Sequence, residues 1–408
     1  MSILDNIQYR EKWKEFLQYK QENRHLSKGE EESINKFIEK KRFIYYYEQI
    51  CKEEFPSSYP IKKIVNKEGT NKKRVVYSFE EEENLVLKFI AHELWRFDDV
   101  LCKNCYSFRR GYGVKDAIRQ FRYNPKFSNL YCFKADISNY FNSISIELLL
   151  KKLDFLKHRD EKLYRLFERI LKLEQVWENG VLIKDCHGAM AGTPISPFFA
   201  NVFLKDVDSW FFKKNIPYYR YSDDILIFAE NEKQLEEHMK YFYELIENHK
   251  LTINPAKVTL SKPGEPWEFL GFSYEHGKLD LSENTKRKTK AKIKRKAEAL
   301  RRWQRKKGLA TDKAAIGFIR AMNRKFYGSE DTDDFTWNRW FFPNITEDSG
   351  LKEIDAYMQQ YIRYTVTGRH YKGNYRISYE QLKKWGYRSL VHEYYKFLTE
   401  KKKPMSLF

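Results

Sequence analysis

No apolar run in the 408 residues approaches the ~18 needed to span a membrane. The opening stretch, "MSILDNIQYREKWKEFLQYKQ", carries charges early and has no apolar signal core, so no export signal is expected. Cysteine is scarce. The five residues Cys51, Cys102, Cys105, Cys132 and Cys186 are too few, and odd in number, for a disulfide scaffold. They fit a reducing cytoplasm, where the chain is expected to reside. Cys102 and Cys105 form a C-x-x-C, but no second Cys/His pair stands at zinc-site spacing, so they read as structural or incidental thiols. No internal repeat is present. Acid is the minority charge: 57 Asp+Glu against 76 Lys+Arg leave a formal net charge of +19, and 17% of residues are aromatic. A basic chain with many rings suits a partner that is both polyanionic and stackable, which describes nucleic acid; the alternative is a basic bias inherited from the host.

Residues 1–60 read as charged helices, with apolar residues three and four apart in "ESINKFIEKKRFIYYYEQI". "FPSSYP" breaks the pattern. "KKIVNKEGTNKKRVVYSF" then reads as a hairpin around Gly69, with Lys72, Lys73 and Arg74 on its far side. "EENLVLKFIAHELWRF" is an amphipathic helix. From 126 to 275 strand and helix signals alternate. "LYCFKADI" is a buried strand ending at Asp136, "YYRYSDDILIFA" is strand-turn-strand, and "WEFLGFSYE" is a strand ending near a turn. "TPISPFFANVFLKDVDSWFF" places an apolar helical face after its prolines, and "NEKQLEEHMKYFYELIENHK" is an amphipathic helix. The mixture predicts an α+β fold with helices on one face of a sheet. Composition shifts after Leu281. Residues 283–308 hold 13 Lys+Arg and two Glu, with Ile293, Ala297 and Leu300 at helical spacing, so a packed basic helix is expected. The remainder reads as helical, with Ser378 and Gln381 forming a capping box and Gly386 a stop.

The pair Asp223-Asp224 in "YSDDILIF" sits between two apolar runs. Adjacent carboxylates repel, so such a turn is either idle in solvent or neutralised by a dication. Asp136, at the end of a separate buried strand, changes the balance: if the two strands are neighbours, three carboxylates converge. Mg²⁺ takes oxygen ligands, commonly one or two carboxylates plus substrate phosphates. Two such ions about 3.5–4 Å apart can serve an in-line phosphoryl transfer. The competing reading is a solvated acidic turn and an unrelated strand-end aspartate.

"FKADISNYFNSI", "GTPISPFFANVFL", "YSDDILIF", "LTINPAKVTL" and "EFLGFSY" occur in this order and resemble the palm motifs of reverse transcriptases. "NCYSFRRGYGVKDAIRQF" is similar to the fingers segment that precedes them in group II intron-type bacterial enzymes. The resemblance covers about residues 60–280. Farther on, "FTWNRWFFPNI" and "YIRYTVTGRHYKGNYRISYEQLKKWGYRSL" resemble the C-terminal helical part of bacterial defence-associated reverse transcriptases, of class 2.

The resemblance implies a right-hand polymerase of α+β class. Residues 1–60 form an N-terminal helical extension, 61–280 fingers and palm, 281–330 a basic thumb, and 331–408 a C-terminal helical extension. It implies RNA-directed DNA synthesis with two Mg²⁺ ions, Mn²⁺ being a substitute. The catalytic and metal-binding carboxylates would be Asp136, Asp223 and Asp224, with the Ile137 carbonyl completing a metal shell. Lys72, Arg74, Phe141, Gly192 and Lys257 would bind the nucleotide. Phe141 either lies beneath the sugar or is core, and Lys257 either meets the pyrophosphate or is a solvated loop lysine. Arg109 and Arg110 either support template or nucleotide or bind a neighbouring carboxylate. Lys292, Arg295 and Lys296 of the basic helix would bind nucleic acid and, with "EFLGFSY", cradle the primer-template. One departure stands out: many relatives carry Gln before the glycine of "G-x-P-x-S-P", and here that residue is Ala191. The partners implied are dNTPs, a cDNA product and a template RNA, a structured non-coding transcript of the same locus, in antiphage defence. Rival readings are an RNA-dependent RNA polymerase, which would want a small residue in place of Phe141; a maturase-like RNA-binding protein, which would not need all three aspartates; and intron mobility, for which no nuclease signature is seen near the C-terminus.

Overall fold

The computed structural model describes residues 2–23, 26–66, 73–328 and 336–402. Its strands, in chain order, are β1 (Ile61–Asn66), β2 (Lys73–Ser78), β3 (Tyr131–Asp136), β4 (Gln175–Glu178), β5 (Val181–Lys184), β6 (Tyr218–Tyr221), β7 (Asp224–Ala229), β8 (Thr259–Ser261), β9 (Trp267–Phe269), β10 (Phe272–Glu275) and β11 (Lys278–Leu281). They form three sheets, ordered β2-β1-β4-β5, β6-β7-β3-β8 and β11-β10-β9. The chain divides into two compact units, residues 1–117 with 129–263, and residues 118–128 with 264–408.

In the first unit the N-terminal helices do not stand apart. Trp13, on the helix Arg10–Asn23, is fully buried. It stacks on Phe89 of the helix Glu81–Glu93 at 4.3 Å between ring centroids, and its indole N–H donates to the Ile7 carbonyl at 2.8 Å. Removing a ring from such a site costs about 3–5 kcal/mol, so the segment is anchored like core. β1 and β2 pair antiparallel with Ile64 opposite Val75, as the hairpin reading expects. The hairpin tip, which includes Lys72, lies outside the described residues.

The sheet β6-β7-β3-β8 is antiparallel throughout. Ile225, Leu226, Ile227 and Phe228 are fully buried, as expected for the apolar run after the two aspartates. On β3, the Phe133 ring meets Phe242 and Tyr243 of the helix Glu232–Asn248, whose start is capped by Asn231 accepting from the Gln234 N–H. "TPISPFFANVFLKDVDSWFF" folds as two helices, Ser196–Phe203 and Lys205–Lys213, interrupted at Leu204.

In the second unit, "WEFLGFSYE" is a hairpin of β9 and β10 rather than one strand. Leu270 and Gly271 both take left-handed φ, 52° and 90°, the pattern of a two-residue type I′ turn. β9, β10 and β11 lie in the compact unit that also holds the basic helix. That helix runs Glu283–Lys306, starts at a Ser282 cap that accepts from the Thr285 N–H, and buries Ile293 and Ala297. It packs on the helices Thr311–Tyr327 and Ser349–Thr367. Asp355 on the last of these accepts from the Tyr387 hydroxyl (2.7 Å), the Ser389 hydroxyl (2.6 Å) and the N–H groups of Leu390 (2.9 Å) and Val391 (3.0 Å). It thus caps the helix Leu390–Lys402 from across the unit. Ser378 accepts from the Gln381 N–H at 3.2 Å, and Gly386 takes φ 92° after the short helix Tyr379–Lys384. No helix among the described residues is long and apolar enough to cross a membrane.

Candidate active site

β3 and β7 are direct neighbours, and Asp136 lies opposite Asp224 in their register. Ser222 and Asp223 form the two-residue turn between β6 and β7, with a left-handed φ of 60° at Ser222 alone, the pattern of a type II′ turn. The Ile137 N–H donates to the Asp223 carbonyl at 3.2 Å. One strand end and one hairpin therefore put the three expected aspartates at adjoining backbone positions, with Ile137 next in the chain after Asp136.

The electrostatics follow from this crowding. Burial, and then the Asp136 charge, raise the Asp223 pKa. Burial and the neighbouring carboxylates push Asp224 up to about 6, against the pull of Lys134, whose Nζ lies 3.7 Å from Asp224 Oδ1. Asp224 Oδ1 is buried and has no hydrogen-bond partner. Lys257 Nζ sits 2.5 Å from Asp136 Oδ2. No group of three or more His, Cys, Asp or Glu side chains gathers as a metal-ligand set among the described residues. Adjacent carboxylates, one with an orphaned oxygen, still fit a hard dication, which needs only one or two protein carboxylates when phosphates and water complete its shell.

Of the residues expected to bind the nucleotide, Lys257 and Arg74 act on these carboxylates. Arg74, exposed on β2, lies near enough for its charge to act on Asp223. Gly192 takes φ 104°, and a Cβ there would lie 3.0 Å from the Tyr77 carbonyl and 3.1 Å from the Val76 Cβ, so only glycine lets β2 approach this loop. The Ala191 carbonyl accepts from the Tyr77 N–H at 2.7 Å, and its N–H donates to Asn142 Oδ1 at 3.0 Å. Asn142 Nδ2 in turn donates to the Val75 carbonyl at 3.2 Å. Two residues thus join the site that sequence reasoning missed. Asn142 ties β2 to the loop. Gly188 lets that loop approach closely, since a Cβ there would fall 2.6 Å from the Phe141 carbonyl.

Asn139 is left-handed (φ 46°), and the two rings after it diverge. Tyr140 is buried, its hydroxyl donating to the Ala200 carbonyl at 2.5 Å. Phe141 stays partly exposed, with Phe108 packed edge-on at 6.2 Å.

Arg109 requires a correction. Its side chain is 6% exposed, and its donors are spent on Asp98 (2.7 Å and 2.9 Å) and the carbonyls of Cys102 and Cys105 (2.7 Å and 2.9 Å). It locks the turn before the site and has nothing left for a phosphate, so of the two alternatives the neighbouring carboxylate wins.

Behind the hairpin lies a buried network that the sequence does not announce. Arg220 and Asp208 are fully buried and pair through two hydrogen bonds of 2.7 Å and 2.5 Å. The Tyr218 hydroxyl donates to Asp208 at 3.1 Å, and Arg220 Nη1 donates to the Ser222 carbonyl at 3.3 Å. Ser222 N–H donates to Ser107 Oγ at 2.9 Å, and that hydroxyl donates to Asn201 Oδ1 at 2.8 Å. Both main-chain polar groups of the left-handed residue before Asp223 are thereby fixed.

On the basic helix of the second unit the cations divide. Lys286 and Lys290 pair with Glu353, and Arg301 donates to the carbonyls of Thr365 and Val366 at the end of the neighbouring helix. Arg295 and Lys296 are exposed and Lys292 is half-buried, the three falling on one face at i, i+3 and i+4.

A family model described as "Reverse transcriptase (RNA-dependent DNA polymerase)" matches residues 65–274. The retron Ec83 reverse transcriptase of Escherichia coli is 31% identical over 174 residues, 39% of this chain and 53% of that one, so the chain spans about half the length of this curated relative. Among solved structures, apo telomerase from Candida tropicalis is 12% identical, covering 86% of this chain and 65% of its own, with a TM-score of 0.49. Telomerase from Candida albicans in complex with a TWJ fragment of telomeric RNA is 12% identical, covering 89% and 71%, with a TM-score of 0.44.

Proposed function

The chain belongs to the reverse transcriptase family, with its α+β right-hand polymerase fold, and from that premise we propose that it is an RNA-directed DNA polymerase. The observation that carries the reading is the register of β3 and β7, which sets Asp136 opposite Asp224 with Asp223 on the adjoining turn. In this reading Asp136, Asp223, Asp224 and the Ile137 carbonyl hold two Mg²⁺ ions, or Mn²⁺ in their place. When bound, such ions neutralise charge developing on the attacking and leaving oxygens of phosphoryl transfer. The rest belongs to the chain. Arg74 and Lys257 would bring positive charge to the triphosphate, and Gly192 keeps β2 close to the loop. A primer 3′-hydroxyl displaces pyrophosphate from the incoming dNTP, and cDNA is the product. In the proposed domain plan, residues 61–280 are fingers and palm, 281–330 the thumb, and 1–60 and 331–408 the helical extensions.

Sugar choice separates this from RNA synthesis. Phe141 is the partly exposed ring, placed to pack beneath the sugar, where a 2′-hydroxyl would overpack the site by about 1–3 kcal/mol. Phe141→Ala is expected to raise ribonucleotide use relative to deoxyribonucleotide use by one to two factors of ten, on the order set by that energy. Tyr140→Ala should lower stability without changing the ratio. Primer extension with each nucleotide, compared as kcat/KM, decides. A native enzyme that already takes ribonucleotides well, with a ratio unmoved by either change, would point to an RNA polymerase instead.

The thumb proposal predicts salt dependence. Lys292, Arg295 and Lys296 changed together to Gln should flatten the plot of log affinity against log salt by roughly 0.7–0.9 per lost phosphate contact. An unchanged slope would leave this face merely solvated.

The finer reading is a bacterial enzyme of the group II intron-like lineage, of defence class 2. It copies a structured non-coding RNA of its own locus in antiphage defence. The C-terminal motifs and a relative named for a retron support it. RNA co-purified with the protein should then be dominated by one transcript of the locus; a diffuse sample of cellular RNA would leave only a generic polymerase.

A further inference from the structure

A separate cavity, about 400 Å³ in volume, lies in the first unit between the short helix Ile3–Gln8 and the helices Arg42–Cys51 and Glu161–Leu171. None of its lining residues takes part in the chemistry above. One part of its wall is apolar: Leu4, Ile50 and Leu166 are buried, and the half-buried Tyr47 stands with them. The charged part is unevenly paired. Lys162 holds Asp5 at 2.9 Å, and Arg165 holds both Glu53 (3.3 Å) and Glu161 (2.8 Å). Two cations thus take up the three carboxylates of the wall, and Arg169 is left over. Its Nε–H donates to the Phe55 carbonyl at 2.7 Å, and its Nη donors find no acceptor among the described residues. Arg169 is half-buried, and that burial lowers its pKa against the pull of Glu53. Drawing a guanidinium out of water without giving it an acceptor is unfavourable, and an anion relieves the cost.

We propose that this cavity is a binding site for a small monocarboxylate with an apolar body. The planar fork of Arg169 suits a carboxylate, which accepts two parallel N–H···O bonds from the Nη atoms. Leu4, Ile50, Leu166 and the Tyr47 ring receive the carbon body, and the volume falls within the range of small-molecule sites. A single negative charge fits better than a phosphate dianion, because Glu53 and Glu161 on the same wall repel a second charge. A nucleotide is disfavoured for the same reason. The inference goes beyond the polymerase reading and does not depend on it.

Cys51 lines the cavity and is exposed, so its alkylation reports occupancy. The full chain is treated with iodoacetamide in EDTA, without template or nucleotide, and the rate at each cysteine is read by mass spectrometry. Phenylacetate at about 10 mM is expected to slow Cys51 about tenfold, the protection given by a Kd of about 1 mM. Cys186, also exposed, should react at its usual rate. Phenylacetamide, alike in shape but uncharged, should not protect Cys51, nor should inorganic phosphate at equal ionic strength. Arg169→Gln should abolish the protection by phenylacetate. The comparison of acid with amide is made on the wild-type chain, so it decides whatever the lost bond to Phe55 does to the variant's melting. Protection by the amide or by phosphate equal to that by the acid, equal slowing at Cys186, protection that survives in a folded Arg169→Gln, or no protection at all would each overturn the proposal.

Discussion

Asp223→Asn is expected to abolish DNA synthesis, lowering kcat by on the order of 10³-fold or more, while RNA affinity changes little. The substitution keeps the shape of the hairpin residue and removes one charge from the cluster that would hold the ions. Losing several kcal/mol of electrostatic stabilisation at a phosphoryl transfer corresponds to at least that factor. A primer extended at near wild-type rate would refute the catalytic assignment. The same crowding has a measurable cost without metal. Asp224 has a folded-state pKa of about 6, above its ordinary value of 3.8. A carboxyl raised in this way favours the fold fully below the unfolded pKa, and that contribution is lost as pH rises from about 4 through about 6. In EDTA at pH 7, Asp224→Asn should therefore be more stable than the wild type, by about 2–3 kcal/mol at 1.36 kcal/mol per unit. The difference should vanish below pH 4 and shrink when Mg²⁺ is added. Thermal melts across pH, wild type against variant, read it directly; a variant no more stable at pH 7 would mean that burial and the neighbouring carboxylates do not raise the Asp224 pKa.

Asp208→Ala is expected to unfold or nearly unfold the first unit, because it strands the Arg220 guanidinium in a fully buried site. Breaking such a pair from one side costs about 3–5 kcal/mol, a large fraction of ordinary domain stability. The informative variant removes both charges. Asp208→Leu with Arg220→Met replaces the pair with apolar groups of similar length, which is often neutral or better for stability. It also deletes the donor to the Ser222 carbonyl, so the turn before Asp223 loses one of its two restraints. We expect near-native melting, unchanged duplex affinity, and kcat down about tenfold or more, since misplacing a reacting group by about 1 Å can cost 10²-fold. A double variant that is both stable and fully active would reduce the pair to packing.

The carboxylates were legible in the sequence because strand signals are local. An apolar run ending in Asp136, and another interrupted by Asp223-Asp224, announce two strand ends, and the ordered motifs place them side by side. The β1–β2 hairpin and the basic helix were legible for the same reason: turn residues and helical spacing act within a few positions. What escaped depends on distant partners. Arg220 reads as one more cation of a basic chain until the fold brings Asp208 to it, and nothing in "FRRGYG" says which arginine meets Asp98. Leu270 is a poor candidate for a left-handed turn by composition, so the β9–β10 break was hidden; only the Gly271 beside it hinted at one. Asn142 and Gly188 mattered through backbone contacts, which leave no mark in hydropathy.

Ala191 has a consequence for how such an enzyme can change over generations. Its N–H and carbonyl are both engaged, by Asn142 and by Tyr77, while its methyl carries none of that attachment. The loop is therefore moored by main chain, and what the residue displays is decoupled from what holds it in place. A position of this kind is open to drift. Larger side chains can be tried on the partly exposed face beside Gly192 without first finding a compensating mutation. A change of side chain at 191 thus need not disturb the fold, whereas at Gly188 and Gly192 the missing Cβ is itself the fit and leaves no such freedom.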